Sequence, residues 1–230
     1  MKVLIVGGGG REHAIAVSMK KSKRVEQIYC VPGNAGIAQI AECDPSIGVM
    51  EFDRIISYAE EKAVDLVFVA PDDPLVGGLV DRLQAAGFRT FGPDRKAAIL
   101  EGSKAFSKDL MKKYHIPTAA YKTFDDSGEA LRYLETAPMP VVLKADGLAL
   151  GKGVLICNTL EEARAGVKEI MEDKHFGSAG NRMVVEEFMT GREVSVLCFV
   201  DGRTIKPMTS AQDHKRALDG DQGLNTGGMG

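Results

Sequence analysis

Residues 141–154 read VVLKADGLALGKGV: an apolar run reaches Lys144, and a loop punctuated by Gly147, Gly151, Lys152 and Gly153 leads into a second β-prone run, VLIC. A glycine-rich loop between strands presents main-chain N–H groups, and two lysines add ammonium charge, a combination that suits a polyphosphate. A P-loop needs Gly-Lys followed by Ser or Thr and then a helix. Here Lys152 precedes Gly153 and a strand pattern, so the segment is predicted to be a β-hairpin lid over nucleotide phosphates and not a Walker site. Ordinary solvated lysines are the alternative; the placement of both around one hairpin favours the phosphate reading.

Upstream, β-rich runs alternate with helical stretches: KVLIVG, a helix from about Glu12, QIYCV, a helix near Asp53 to Lys62, DLVFVA, a helix from Leu75 to Ala86, and FRTFG. This order predicts an α/β fold, a Rossmann-like parallel sheet wrapped by helices over residues 1–100. Turn residues follow the strands at Gly7 to Gly10, Pro32-Gly33-Asn34, Pro71 to Pro74 and Gly92-Pro93-Asp94, the edge at which such sheets bind ligands. GGGGREH, Gly7 to His13, follows a strand and opens a helix, which aims free N–H groups at an anion. As a dinucleotide fingerprint it is poor, because Glu12 stands where the third glycine belongs and no acidic residue ends the second strand. A tight turn without a ligand is the alternative.

Downstream, a second domain is expected over residues 101–230, with a small lid subdomain at about 120–190. Ser103 is the expected N-cap of a helix to Tyr114, and IPTAAYKTF reads as a linker and short strand. From Pro140 a strand, the glycine loop, a strand to Asn158, a helix near Leu160 to Asp173, and strands in MVVEEFM and REVSVLCFVDG predict a compact α+β unit. Glu186 and Glu187 fall at a strand end, with Glu193 beyond. Main-chain groups leaving a sheet there can read an adenine edge, and a carboxylate can accept from ribose hydroxyls, although a solvated face is the commoner fate of such a run. Residues 209–230 are polar and glycine-rich, with Asp213, Lys215, Arg216, Asp219, Asp221, Asn225 and Thr226. They suit recognition of an amino acid beside a phosphoryl group, with a disordered linker as the alternative.

The 230 residues carry a formal net charge of −3, which gives no bulk attraction to nucleic acid or an anionic membrane. The apolar N-terminal run is too short for a signal peptide and no segment is long enough to span a bilayer, so a cytosolic protein is expected. Cys30, Cys43, Cys157 and Cys198 lack CxxC spacing and are expected to be buried thiols, and neither they nor the histidines show the spacing of a zinc site.

The collinear series VLIVGGGGREHA, PGN, PDDPLVGGLVD, FGP, SKAFSK, KADGLALGKGV, EEFMTGREVS and QDHKRALDGDQGLNTGGMG resembles the phosphoribosylamine–glycine ligase family of the ATP-grasp superfamily over the whole chain. The resemblance implies an ATP-dependent ligase that joins glycine to phosphoribosylamine through a glycyl phosphate. On matching residues it places Gly8, Gly9, Gly10, Arg11 and Asn34 at the phosphoribosylamine and Lys104 and Lys144 at the ATP phosphates, under the Gly147 to Gly153 loop. It places Glu186 at the adenine amino group, the main chain of Glu187 and Met189 along adenine, and Glu193 at the ribose. Asp213 and Lys215, as catalytic candidates, line the glycine and phosphoribosyl site with Asn225 and Thr226. Family members continue past GGMG with the ligands for Mg²⁺, so the second domain is expected to be an incomplete ATP-grasp domain. The chain then resembles an N-terminal portion with at most residual ligase activity, and the full-length form is expected to be a monomer. Another ATP-grasp ligase or carboxylase, and a non-catalytic nucleotide-binding module, are the rival readings.

Overall fold

The Val- and Ile-rich runs of the first hundred residues pair in parallel because helices cover both faces of their sheet. The computed structural model describes residues 1–148, 153–214, 216–220 and 222–225. Within it β1 (Lys2–Gly7), β2 (Gln27–Pro32), β3 (Glu42–Cys43), β4 (Leu66–Val69) and β5 (Thr90–Phe91) form a parallel sheet in the order β3-β2-β1-β4-β5. On one face Leu4 and Val6 pack with Ile55, Leu79 and Leu83; on the other Val3 and Ile5 pack with Ala16, Ile28 and Ile37. The helices are α1 (Gly10–Lys20), α2 (Phe52–Glu61), α3 (Asp72–Gly77), α4 (Leu79–Ala85) and α5 (Arg95–Gly102). The strand order reverses beside β1, so the loops after β1 and β4 leave the sheet at its switch point.

The chain divides by its internal contacts into Met1–Ser107 and Lys108–Gly230. After α6 (Lys104–Lys113), whose Ser103 hydroxyl accepts the Phe106 N–H at 3.1 Å, come β6 (Tyr121–Phe124) and α7 (Ser127–Leu134). They are followed by β7 (Val141–Ala145), β8 (Val154–Cys157), α8 (Leu160–Val167) with a π turn at Lys168–Glu172, and β9 (Met183–Glu187). The sheet is antiparallel in the order β6-β9-β7-β8. Burial alternates along β7, so Val141, Leu143 and Ala145 enter one core with Leu134, Val167, Ile170 and Met183. Val142 and Lys144 therefore occupy the opposite face.

Past Glu187, β10 (Cys198–Val200) pairs with β11 (Ile205–Pro207), and β12 (Arg216–Leu218) pairs with β13 (Gln222–Asn225). Val194, Val196, Leu197, Phe199, Val200 and Ile205 are exposed. No helix among the described residues is long and apolar enough to cross a membrane.

Several expectations need correction. The helix from Leu75 to Ala86 is two helices, broken at Gly78, whose φ of 90° only glycine adopts cheaply. The strand expected in REVSVLCFVDG shortens to Cys198–Val200 and lies in an exposed hairpin, outside the compact four-stranded sheet. The polar segment after Thr209 includes the paired strands β12 and β13. Helices α5 and α7 were not foreseen; Asp94 and Asp126 cap them by accepting the N–H groups of Ala97 and Glu129, each at 2.8 Å. Cys30 and Cys157 are buried, and desolvation first of all pushes their thiols up to about 12 and about 11. Cys43 is only partly buried and Cys198 is exposed, contrary to expectation.

Candidate functional site

Antiparallel pairing sets Lys144 opposite Val184 and Val142 opposite Glu186, which puts Lys144 and Glu186 on one face of the sheet in adjacent strands. Lys144 Nζ donates to Glu186 Oε2 at 2.9 Å. From α6, Lys108 Nζ reaches the same oxygen at 3.1 Å. The Lys108 and Glu186 side chains are 9% and 6% exposed, and that of Lys144 is 27% exposed. One carboxylate between two ammonium groups leaves a surplus positive charge where solvent screens weakly. Glu186 Oε1 is buried and has no hydrogen-bond partner among the described residues. An acceptor left so costs about 1–3 kcal/mol, and a ligand N–H would remove that cost. The arrangement therefore fits a ligand with an amino group at one end and negative charge at the other.

Val142, Ile156 and Val184 share this face by register: Ile156 is exposed, Val142 is half-buried and Val184 is fully buried. Ala145 N–H donates to Gly153 O at 2.9 Å and Asp146 N–H to Arg182 O at 2.9 Å, fixing the base of the glycine loop. Gly147 has a φ of +129°, and a Cβ there would meet Ala179 Cβ at 3.2 Å. Gly151 and Lys152 lie outside the described residues. At the far end, Glu187 N–H donates to Ala120 O, and Met189 is 67% exposed.

In Met1–Ser107, Gly9 is the N-cap of α1 and its N–H donates to the Glu12 carboxylate. Glu12 is buried, and it fills the space in which a Cβ at Gly7 would stand 2.5 Å from Glu12 Cγ. The third-glycine position is thus occupied by a carboxylate folded under the loop. Gly8 lies so close to the next loop that a Cβ would fall 2.6 Å from Gly33 O. Asn34 ties the loops together: its Nδ2 donates to Gly8 O at 2.9 Å, and its Oδ1 accepts from Gly36 N and Ile37 N, both at 2.9 Å. Asn34 is therefore a support for the glycine turn, while Gly9, Gly10 and Arg11 are exposed.

Of the remaining candidates, Lys104 is the half-buried first residue of α6, Glu193 lies exposed beyond β9, and Asp213 is half-buried. Asn225 ends β13, its main chain opposite Arg216. Lys215 and Thr226 lie outside the described residues. Among the described residues no three His, Cys, Asp or Glu side chains come together as a metal site. The residue that sequence reading missed is Lys108. Its signal was position: with Ala105 it shares the buried stripe of α6, and a lysine there calls for a partner.

Comparison with known proteins bears directly on these two regions. A family model for the phosphoribosylglycinamide synthetase N domain matches residues 1–101, and one for the phosphoribosylglycinamide synthetase ATP-grasp (A) domain matches residues 102–230. The chain belongs to the phosphoribosylglycinamide synthetase family. The phosphoribosylamine–glycine ligase of Halalkalibacterium halodurans is 49% identical over 230 residues, covering all of this chain and 54% of that protein. The crystal structure of the Thermotoga maritima phosphoribosylamine–glycine ligase superposes with a TM-score of 0.83 at 34% identity, over 100% of this chain and 54% of the other. The chain thus spans about half the length of the relatives it matches. The biotin carboxylase domain of the Hydrogenobacter thermophilus 2-oxoglutarate carboxylase, solved with MgADP, shares the fold at 23% identity. Its TM-score is 0.65, over 82% of this chain and 44% of that one.

Proposed function

We propose that the Lys144 and Glu186 face of the β6-β9-β7-β8 sheet binds ATP, and that the chain takes part in ATP-dependent joining of glycine to 5-phosphoribosylamine, in a cytosolic enzyme whose full-length form is a monomer. The products would be glycinamide ribonucleotide, ADP and phosphate. The observation that carries the reading is the orphaned, buried Oε1 of Glu186 beside two lysines. That oxygen would accept the exocyclic amine of adenine. Glu187 and Met189 would border the base with their main chains, and Val142 and Ile156 would supply an apolar bed. Lys144 would turn from Glu186 to the phosphates, joined by Lys104 and Lys152 under the Gly147 to Gly153 loop, and Glu193 would hold the ribose hydroxyls.

Residues 1–100 would form the substrate domain, with Gly8 to Arg11 receiving the phosphate of phosphoribosylamine on the free N–H groups of α1. Residues 101–230 would form the ATP-grasp portion, where Asp213, Lys215, Asn225 and Thr226 would contact glycine and the phosphoribosyl group. The chemistry asks for no protein nucleophile. The glycine carboxylate takes the γ-phosphoryl group, and the amine then displaces phosphate from the acyl phosphate. What the protein supplies is position, neutralisation of charge and exclusion of water. The Mg²⁺ implied by the family would add charge stabilisation at the phosphates; it takes no identified ligand among the described residues.

Calorimetric titration with ATP tests the reading. The chain is expected to bind ATP, Lys144→Ala to lose about tenfold or more in affinity, and Glu186→Gln to lose preference for ATP over inosine triphosphate, which lacks the exocyclic amine. ATP affinity unchanged in both variants would contradict it.

A further inference from the structure

Glu186 has two cationic neighbours, and they are held very differently. The Lys108 ammonium donates to Thr118 Oγ1 at 2.7 Å and to Ala119 O at 3.4 Å, lies over the Tyr121 ring at 5.6 Å, and sits 3.1 Å from Glu186 Oε2. Each of these partners lies in Lys108–Gly230, and the group is nearly sealed from solvent. Lys144 is three times as exposed at its side chain, and the bond it makes among the described residues is to Glu186. A ligand that draws Lys144 away would strand a buried carboxylate were no second cation present, and a stranded buried charge is costly.

We propose that Lys108 is the resident counter-ion of Glu186, a positioning residue that frees Lys144 to exchange the carboxylate for the polyphosphate of the incoming nucleotide. This rests on the nucleotide reading above. Glu186 Oε2 stays engaged by Lys108 throughout the exchange, so Oε1 keeps its aim at the base while the mobile charge moves to the phosphates. Lys108 thereby strengthens the response to phosphate without touching it.

The consequence is a coupling that can be measured. Affinities for ATP and for adenosine are compared in the wild-type chain, Lys108→Met, Lys144→Ala and the double variant, with folding checked by thermal melting. Lys108→Met is expected to lower the ratio of ATP to adenosine affinity about tenfold, because Lys144 is then retained by Glu186. In the Lys144→Ala background the same change is expected to leave that ratio within about twofold. Lys108→Arg is expected to restore most of the ratio. A merely structural role would weaken both ligands together and leave the ratio unchanged, which would overturn the inference. So would an equal fall in the Lys144→Ala background, since Lys108 would then be acting on the phosphates directly. If Lys108→Met does not fold, Thr118→Val removes the 2.7 Å anchor while keeping the ammonium. A fall in its ratio of about threefold supports the inference, and no fall overturns it. A wild-type chain that binds neither ligand would instead bring down the nucleotide reading, and this proposal with it.

Discussion

From Val3 to Val6 every residue of β1 is buried, whereas burial alternates along β7, with Leu143 inside and Lys144 on the opposite face. A parallel sheet covered on both faces has no side-chain surface left to offer, so its candidate anion site lies at the strand ends. There it is built from the main chain of a glycine turn. On the second face of the antiparallel sheet, side chains of adjacent strands pair with one another: Lys144, 27% exposed, meets Glu186 there, with Lys108 of α6 beside them. The first candidate site is fixed by backbone packing, and the second is held by ion pairs that the proposed nucleotide would exchange. Mutations should therefore act on stability in one and mainly on binding in the other.

The sharpest test of that contrast lies within β7. Leu143→Ala is expected to destabilise Lys108–Gly230 by about 2–5 kcal/mol in urea unfolding, since Leu143 is fully buried. Lys144→Ala, one residue on, is expected to cost about half as much or less, because Lys108 remains beside Glu186. Equal losses would break the contrast. Next in size is Gly8→Ala, whose Cβ would collide with Gly33 O and is expected to cost about 1–3 kcal/mol. Asn34→Ala leaves Gly36 N and Ile37 N without their acceptor and is expected to cost about 1–2 kcal/mol. Should either variant unfold as wild type does, the glycine turn would not be fixed by the packing described.

The smallest effect is at the surface. Arg182 Nε donates to Asp125 Oδ1 at 2.7 Å, and first of all through that bond it holds the Asp125 carboxyl below its ordinary value of 3.8. Because the folded value is depressed, the stabilisation is present above pH 3.8 and fades as pH falls through the lower folded value. Both groups are exposed, so Arg182→Ala is expected to cost less than about 1 kcal/mol at neutral pH and nothing at strongly acid pH. A pH-independent loss would point to packing of the arginine stem.

Much of this was legible in the sequence because local chemistry and tertiary context agree. The runs KVLIVG, QIYCV and DLVFVA became β1, β2 and β4, and the Gly153-VLIC continuation identified the hairpin of β7 and β8. The Glu186–Glu187 pair falls at the end of β9 as the pattern implied. Short helices were harder: α5 and α7 have eight residues each, and their Asp caps read equally well as turn residues. The break at Gly78 was hidden by continuous helical periodicity across it. Lys108 was passed over because a lysine reads as solvated until the strand register places a carboxylate beneath it. Cys198 went the other way, since an apolar run promises burial only where something packs on it.

Hydrogen–deuterium exchange of the chain with and without ATP addresses the proposed nucleotide site most directly. Slower exchange is expected in residues 141–148 and 183–189, the strands and strand ends that carry Lys144, Glu186 and Met189, and it should vanish in Lys144→Ala at the same ATP concentration. Protection confined to residues 1–100, with 141–148 and 183–189 unchanged, would contradict the assignment of ATP to the Lys144 and Glu186 face of the sheet.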